Sequence, residues 1–183
     1  MARQRSRAGA PAPDPDPAQQ DREPDPHDVA RQIVLRQLTM APRSRAQLED
    51  KLRQRDCPDD VAAAVLDRLT DVGLVDDEAY AQMLVRSQQA GRGLARRALA
   101  RELHTKGIDP ELAAETLDGI DEESERERAR ALVAKKLRSM HGLAAEVQTR
   151  RLAGMLARKG YSSSTSFAVI REAIAEAPEH QPD

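Results

Sequence analysis

The 183-residue chain is poor in aromatic side chains, which make up 2% of it: Tyr80, Tyr161 and Phe167, with no Trp. Leu, Ala, Val and Ile must therefore do the packing, and with 33% of residues charged that balance favours helices over sheets. A single cysteine, Cys57, excludes an internal disulfide framework and a Cys-rich zinc site. No run approaches the roughly 20 apolar residues needed to span a bilayer, so no membrane segment is expected. The N-terminus carries arginines but no apolar stretch, so a secretory signal is not expected and a cytoplasmic location follows by default.

Chemistry-bearing constellations are also missing. His27, His104, His141 and His180 are scattered, with no i, i+4 pair to hold a metal. The stretch Gly91-Arg92-Gly93 lacks the Lys-Ser/Thr that would make it a phosphate-cradling loop. Carboxylates abound in every repeat, yet no pair stands out for acid–base work. No catalytic residue, metal or cofactor is expected, and the chain reads as a non-enzyme.

What is present is charge with a pattern. The net charge is −2 and the pI about 6.1, too little to advertise a nucleic-acid binder in bulk. From Arg86 to Lys106, however, there are six Lys or Arg residues against Glu102 alone, and from Arg126 to Arg138 six against Glu127. Such runs can follow a phosphate backbone, although solvated helix faces look the same. Arg outnumbers Lys 24 to 5, a bias that bidentate anion recognition and a GC-rich genome explain equally.

Residues 1–27 hold six of the eleven prolines and almost nothing apolar beyond Ala, so they read as a disordered tail; residues 178–183 read as frayed. Between them apolar residues recur at three- and four-residue spacing throughout, the helical period. The decisive feature is an internal repeat. At an offset of 51, Leu48, Leu52, Cys57, Val61 and Leu66 fall on Leu99, Leu103, Ile108, Leu112 and Leu117; at a further 53, Leu152, Leu156, Tyr161 and Ile170 take the same slots.

Each copy reads as helix, tight break, helix. Gly107 and Gly160 supply the left-handed break, and Asp56 holds that position in the first copy. The following helices are expected to be capped by Asp59, by Asp109 before Pro110, and by Ser162, while Ser44 and Gln47 fit a capping box. One further helix precedes each pair, at about 28–40, 77–90 and 123–140. The expected fold is all-α: three tandem three-helix repeats (28–74, 75–120, 121–177) forming an elongated, curved body in which each unit packs on its neighbours. Cys57 reads as a small hydrophobe plugging the first break, and Tyr80, Met83 and Leu84 as core.

The candidate site is therefore surface. Arg97, Arg101 and His104 share the face opposite Leu99 and Leu103, with Arg92 and Arg96 at the entrance of that helix and Arg86 and Lys106 bounding the run. Arg128, Lys135 and Arg138 form a second stripe, followed by Arg150, Arg151, Arg158 and Lys159. No aromatic interleaves them, so base stacking is not supported; contact with phosphate or carboxylate is.

These residues carry a resemblance. Gly73, Leu74 and Val75, Asp76 and Asp77, Tyr80, Val85 and Arg86, Gly91 and Gly93, then Leu103 with Lys106-Gly107-Ile108, closely resemble the signature of the RecX family, bacterial regulators of the recombinase RecA. Residues 42–55 and 158–164 are similar to its first and third repeats. Two positions depart from the pattern: Met83 and Leu84 stand where an aromatic is common, and Asp56 where glycine is usual. The resemblance implies a tandem helical protein that binds within the groove of the RecA filament on single-stranded DNA. It further implies restraint of RecA ATPase, strand exchange and coprotease activity. The eleven bases Arg86, Arg92, Arg96, Arg97, Arg101, Lys106, Arg128, Lys135, Arg138, Arg150 and Arg151 are then the expected filament contacts. A monomer is expected, since no long apolar heptad offers a coiled coil. Direct DNA binding is expected to be weak. The alternative is an autonomous DNA-binding protein built from helix-turn-helix-like units, for which a more basic chain would be expected.

Overall fold

The same local instructions are used three times. In the computed structural model, which describes residues 24–176, the described residues form nine helices and no strand. Repeat one contains α1 (Pro26–Met40), α2 (Arg45–Arg53) and α3 (Asp59–Asp71); repeat two contains α4 (Asp77–Arg92), α5 (Arg96–Thr105) and α6 (Pro110–Asp118). Repeat three contains α7 (Glu122–Leu137), α8 (Ala145–Arg158) and α9 (Ser163–Ala175). The expected proline-rich tail lies largely outside the described residues, but its last part does not. Asp25 caps α1 by accepting from the His27 N–H, so the helix starts at Pro26, inside the segment assigned to the tail. Proline suits that first helical position because its missing N–H is one of the unpaired donors. The expected tail 178–183 also lies outside the described residues.

The break between the second and third helices has one hydrogen-bond pattern in all repeats. The N–H groups of Cys57, Ile108 and Tyr161 donate to the carbonyls of Leu52, Leu103 and Leu156 at 3.2, 3.1 and 3.2 Å. Those three leucines are fully buried. The residue before each donor is left-handed: Asp56 at φ 57°, Gly107 at 71° and Gly160 at 91°. Truncating any of the three leucines to Ala is expected to cost about 2–5 kcal/mol, because the cavity opens between all three helices of its repeat.

Three caps form as expected. Ser44 and Gln47 make the reciprocal capping box, Asp109 accepts from Glu111 and Leu112, and Ser162 accepts from Thr165. The expected cap at Asp59 does not form. Pro58 occupies the N-cap, and no side chain bonds the first turn of α3. Its fixed φ holds the extended entry, which advances the helix by one residue and moves Asp59 into the first turn. There Asp59 and Asp60 meet the positive end of the helix dipole.

Three separate cores result. Val34, Leu48, Leu52 and Leu66 centre the first; Tyr80, Leu84, Leu99, Leu103 and Leu117 the second; Val133, Leu152, Leu156, Tyr161 and Ile170 the third. Cys57 is half-buried against the first core, and desolvation pushes its thiol pKa up, as befits a small apolar plug. The principal helix packings all lie within a repeat. Neighbouring repeats meet instead at polar joints, where the C-terminal turn of one second helix abuts the N-terminus of the second helix before it.

Candidate functional site

The joint between repeats two and three determines where the basic residues point. Ala95, the N-cap of α5, donates its N–H to the Lys159 carbonyl at the end of α8 (2.9 Å), and the Arg96 N–H donates to Glu125 at 2.8 Å. The Tyr161 hydroxyl donates to the Gly93 carbonyl at 3.1 Å. Burial raises the Tyr161 pKa to about 12, with the nearby Arg128 charge working against the rise. Lys159 donates its Nζ to the carbonyl of Arg92. The C-terminus of α4 is thereby held against α7 and the end of α8, and a groove of about 590 Å³ lies between them.

The lining of this groove carries charge of one sign. Arg92, Arg128, Lys135, Lys136 and Lys159 line it, with an apolar floor of Ala131, Leu132 and Met155 and no acidic side chain. Arg92 also pairs with Glu102 at 2.8 Å, outside the lining. Arg128, Lys135 and Lys136 form no ion pair with a described residue, and the Arg128 Nε is buried without a hydrogen-bond partner. On α7 these positions return at i, i+7 and i+8, one face of a helix.

The structure divides the expected bases into groups. Arg92, Arg128 and Lys135 come together in the groove, joined by Lys159 and by Lys136, which the sequence reading passed over. The spacing from Arg128 to Lys136 is the signal that would have found it. Arg96 is occupied within repeat two: its guanidinium donates to the Leu117 carbonyl at 2.9 Å and pairs with Asp118 at 2.6 Å. Arg97 lines a separate cleft of about 410 Å³ between α5 and α6, with His104 at its rim and Ala100, Ala113 and Leu117 inside. Arg101 lies exposed one turn beyond Arg97 on α5.

The rest are dispersed. Arg86 is exposed midway along α4, Arg138 is the C-cap of α7, and Arg150 and Arg151 are exposed on α8. Lys106 is the C-cap of α5, and its carbonyl is taken by Ser44 across the first joint. Two bases of the second run, Arg126 and Arg130, turn to Glu172 on α9 and so hold repeat three together.

No cluster of His, Cys, Asp or Glu able to hold a metal occurs among the described residues, and none of their helices is long and apolar enough to cross a membrane. Tyr80, Met83 and Leu84 belong to the second core, as their spacing suggested. The third helices of repeats one and two are acidic where a DNA-reading helix would be basic, and α9, with Arg171 against Glu172, is neutral. The α3 sequence DDVAAAVLDRLTD carries Arg68 as its one base, and the α6 sequence PELAAETLD carries none.

Comparison with known proteins matches each repeat in order. The RecX first, second and third three-helix domains match residues 30–69, 76–117 and 123–170. The chain is 53% identical over 152 residues to the regulatory protein RecX of Streptomyces lividans, covering 83% of this chain and 81% of that one. It is 50% identical over 145 residues to that of Thermobifida fusca, covering 79% and 78%. Among solved structures, RecX from Lactobacillus salivarius superposes with a TM-score of 0.72 at 24% identity, covering 80% of this chain and 96% of that one. A second RecX crystal structure gives 0.70 at 25% identity, covering 81% and 72%.

Proposed function

The chain belongs to the RecX family of regulatory proteins, and from that premise we propose that it binds within the groove of the RecA filament on single-stranded DNA. There it restrains RecA ATP hydrolysis, strand exchange and coprotease activity. It acts as a monomer without cofactor, in the cytoplasm beside RecA, during recombination and the SOS response. The observation that carries this reading is the groove between repeats two and three, whose charged lining is all cationic, a surface suited to a polyanionic assembly. The exposed Arg97 and Arg101 on α5 give a second basic face, suited to acidic protein surface.

The acidic α3 and α6 weigh against the helix-turn-helix alternative. A recognition helix must enter a groove walled by phosphates, and Asp71, Glu111 and Glu115 would oppose that approach. Titration of the protein into RecA-catalysed, single-stranded-DNA-dependent ATP hydrolysis tests the proposal, with binding to bare DNA followed in parallel. Inhibition well below one molecule per RecA protomer, while bare DNA stays largely unbound, is the expected result. Inhibition that appears only as bare DNA becomes covered would overturn it in favour of competition for the strand.

A further inference from the structure

We infer that the groove between α4, α7 and α8 is a phosphodiester site, through which this chain contacts the nucleic-acid strand itself rather than the recombinase. The inference rests on the filament-binding reading above and assigns one of its surfaces to one partner.

The choice of cation points to a polyanion that is not held in one fixed orientation. This chain uses Arg over Lys by 24 to 5, yet three of its five lysines, Lys135, Lys136 and Lys159, converge on this one groove; Lys159 is held on the Arg92 carbonyl, while Lys135 and Lys136 form no ion pair with a described residue. Arginine forks match carboxylate and phosphate alike, two bonds at a time, and so suit a partner held in one fixed geometry. Lysine is a mobile point charge that follows a phosphate whatever its orientation. A strand sliding past in any sequence needs the second kind of contact.

The layout agrees. Arg128 and Lys135 are seven residues apart on α7, about 10 Å at the helical rise, so the charges run along a line rather than around a point. Leu132 lies between them, with Met155 across the floor. An acidic peptide would leave its carboxylates above that apolar floor, whereas the unstacked bases of a single strand have apolar faces to lay on it. Lysines in the last turn of α7 also complement its dipole. That account does not reach Arg128, which sits mid-helix with its Nε buried and unpartnered. With no aromatic in the lining, the contact of bases with the floor is weak, so binding is mainly electrostatic, indifferent to base sequence and steep in salt.

The test uses the full chain and a fluorescein-labelled oligothymidylate, read by anisotropy across a salt series. Lys135 and Lys136 are both exposed, so the double variant Lys135→Glu, Lys136→Glu is expected to fold, with unchanged circular dichroism and melting temperature as the check. Each phosphate neutralised on a single strand adds about 0.7 to the slope of log K against log salt, so the variant should flatten the slope by about 1.4. Its affinity should fall at least about tenfold, while Arg36→Glu on the exposed face of α1 should change nothing. Arg128→Gln should weaken binding in the same direction. A ribose-phosphate oligomer lacking bases should reproduce the wild-type slope. Unchanged oligonucleotide binding in the double variant would overturn the inference. Equal competition by polyglutamate, charge for charge, would overturn it as well. Neither result would touch the filament reading, which fails separately if the wild-type protein leaves RecA ATP hydrolysis unaffected.

Discussion

The Ser44 hydroxyl donates to the main-chain carbonyl of Lys106, 62 residues away, at 2.5 Å. Ser44 is the N-cap of α2 and Lys106 the C-cap of α5, so the two helices meet head to tail. The next joint repeats the arrangement, with the Ala95 N–H on the Lys159 carbonyl. Each joint also brings a carboxylate from the following repeat to the first helical N–H: Asp77 to Arg45, Glu125 to Arg96. Arg45 then pairs with Asp67 and Arg96 with Asp118, pairs that coincide under the 51-residue offset. Helices α2, α5 and α8 thus form a file in which the orphan groups of one terminus satisfy those of the next, with their dipoles aligned.

Ser44 both accepts the Gln47 N–H and donates to Lys106, and it is completely buried. Ser44→Ala should therefore lower stability by about 2 kcal/mol, at the upper end for an N-cap, because the Lys106 carbonyl also loses its partner. Gln47→Ala removes only the return bond and should cost less. Urea unfolding followed by circular dichroism would measure both. A loss under about 0.5 kcal/mol for Ser44→Ala would show that the joint contributes no cap.

The glycines at the joints differ from those elsewhere. A Cβ on Gly107 would collide with the Ala46 Cβ, and one on Gly160 would lie 2.6 Å from the Ala98 nitrogen. Gly142 has a similar φ of 75° but nothing within 4 Å. Gly142→Ala should cost about 1–2 kcal/mol, for the left-handed backbone alone. Gly107→Ala and Gly160→Ala should cost clearly more, since backbone must move apart. Asp56 occupies the equivalent break in repeat one. Asp56→Gly should gain about 0.5–1 kcal/mol by relieving its φ of 57°. Equal losses at Gly107 and Gly142 would show that close packing at the joint is not what selects glycine.

The fold was readable because its determinants are local. The repeat register of Leu48, Leu99 and Leu152, the left-handed breaks and the box at Ser44 are all short-range signals, and each takes the form its residues imply. Asp59 misled because a preceding proline can hold the N-cap geometry without a side-chain bond. The site was harder to read. Arg92, Arg96 and Arg97 lie within six positions of one another, yet one enters the groove, one ties down α6 and one lines a different cleft. That sorting depends on the joint between repeats, which is made by Lys159, Gly160 and Glu125 and is not encoded by any local period.

Tyr161 offers a pH test of the same joint. Its pKa is raised to about 12 by burial, against about 10 for tyrosine in an unfolded chain. The unfolded state therefore gives up this proton first, so the stability it supplies is complete below pH 10 and is lost as the pH rises towards 12. Thermal unfolding across that window should show a steep alkaline decline. Tyr161→Phe should flatten the decline while lowering stability at neutral pH by about 1 kcal/mol, because the Gly93 carbonyl loses its donor. An identical decline in the variant would place the titration elsewhere.

Neighbouring arginines on α5 should separate structural from binding roles. Arg96 spans from the N-terminus of α5 to the Leu117 carbonyl and Asp118, so Arg96→Ala should lower stability by about 1 kcal/mol. Arg97 and Arg101 are exposed and form no ion pair with a described residue, so reversing both to Glu should leave the melting temperature nearly unchanged. If their face meets acidic protein surface in the filament, that double reversal should weaken inhibition of RecA ATP hydrolysis about tenfold or more, since like charges would then face each other. Binding to bare oligothymidylate should hardly change, because neither residue lines the lysine-rich groove. The opposite outcome, lost DNA binding with inhibition intact, would exchange the roles of the two basic faces.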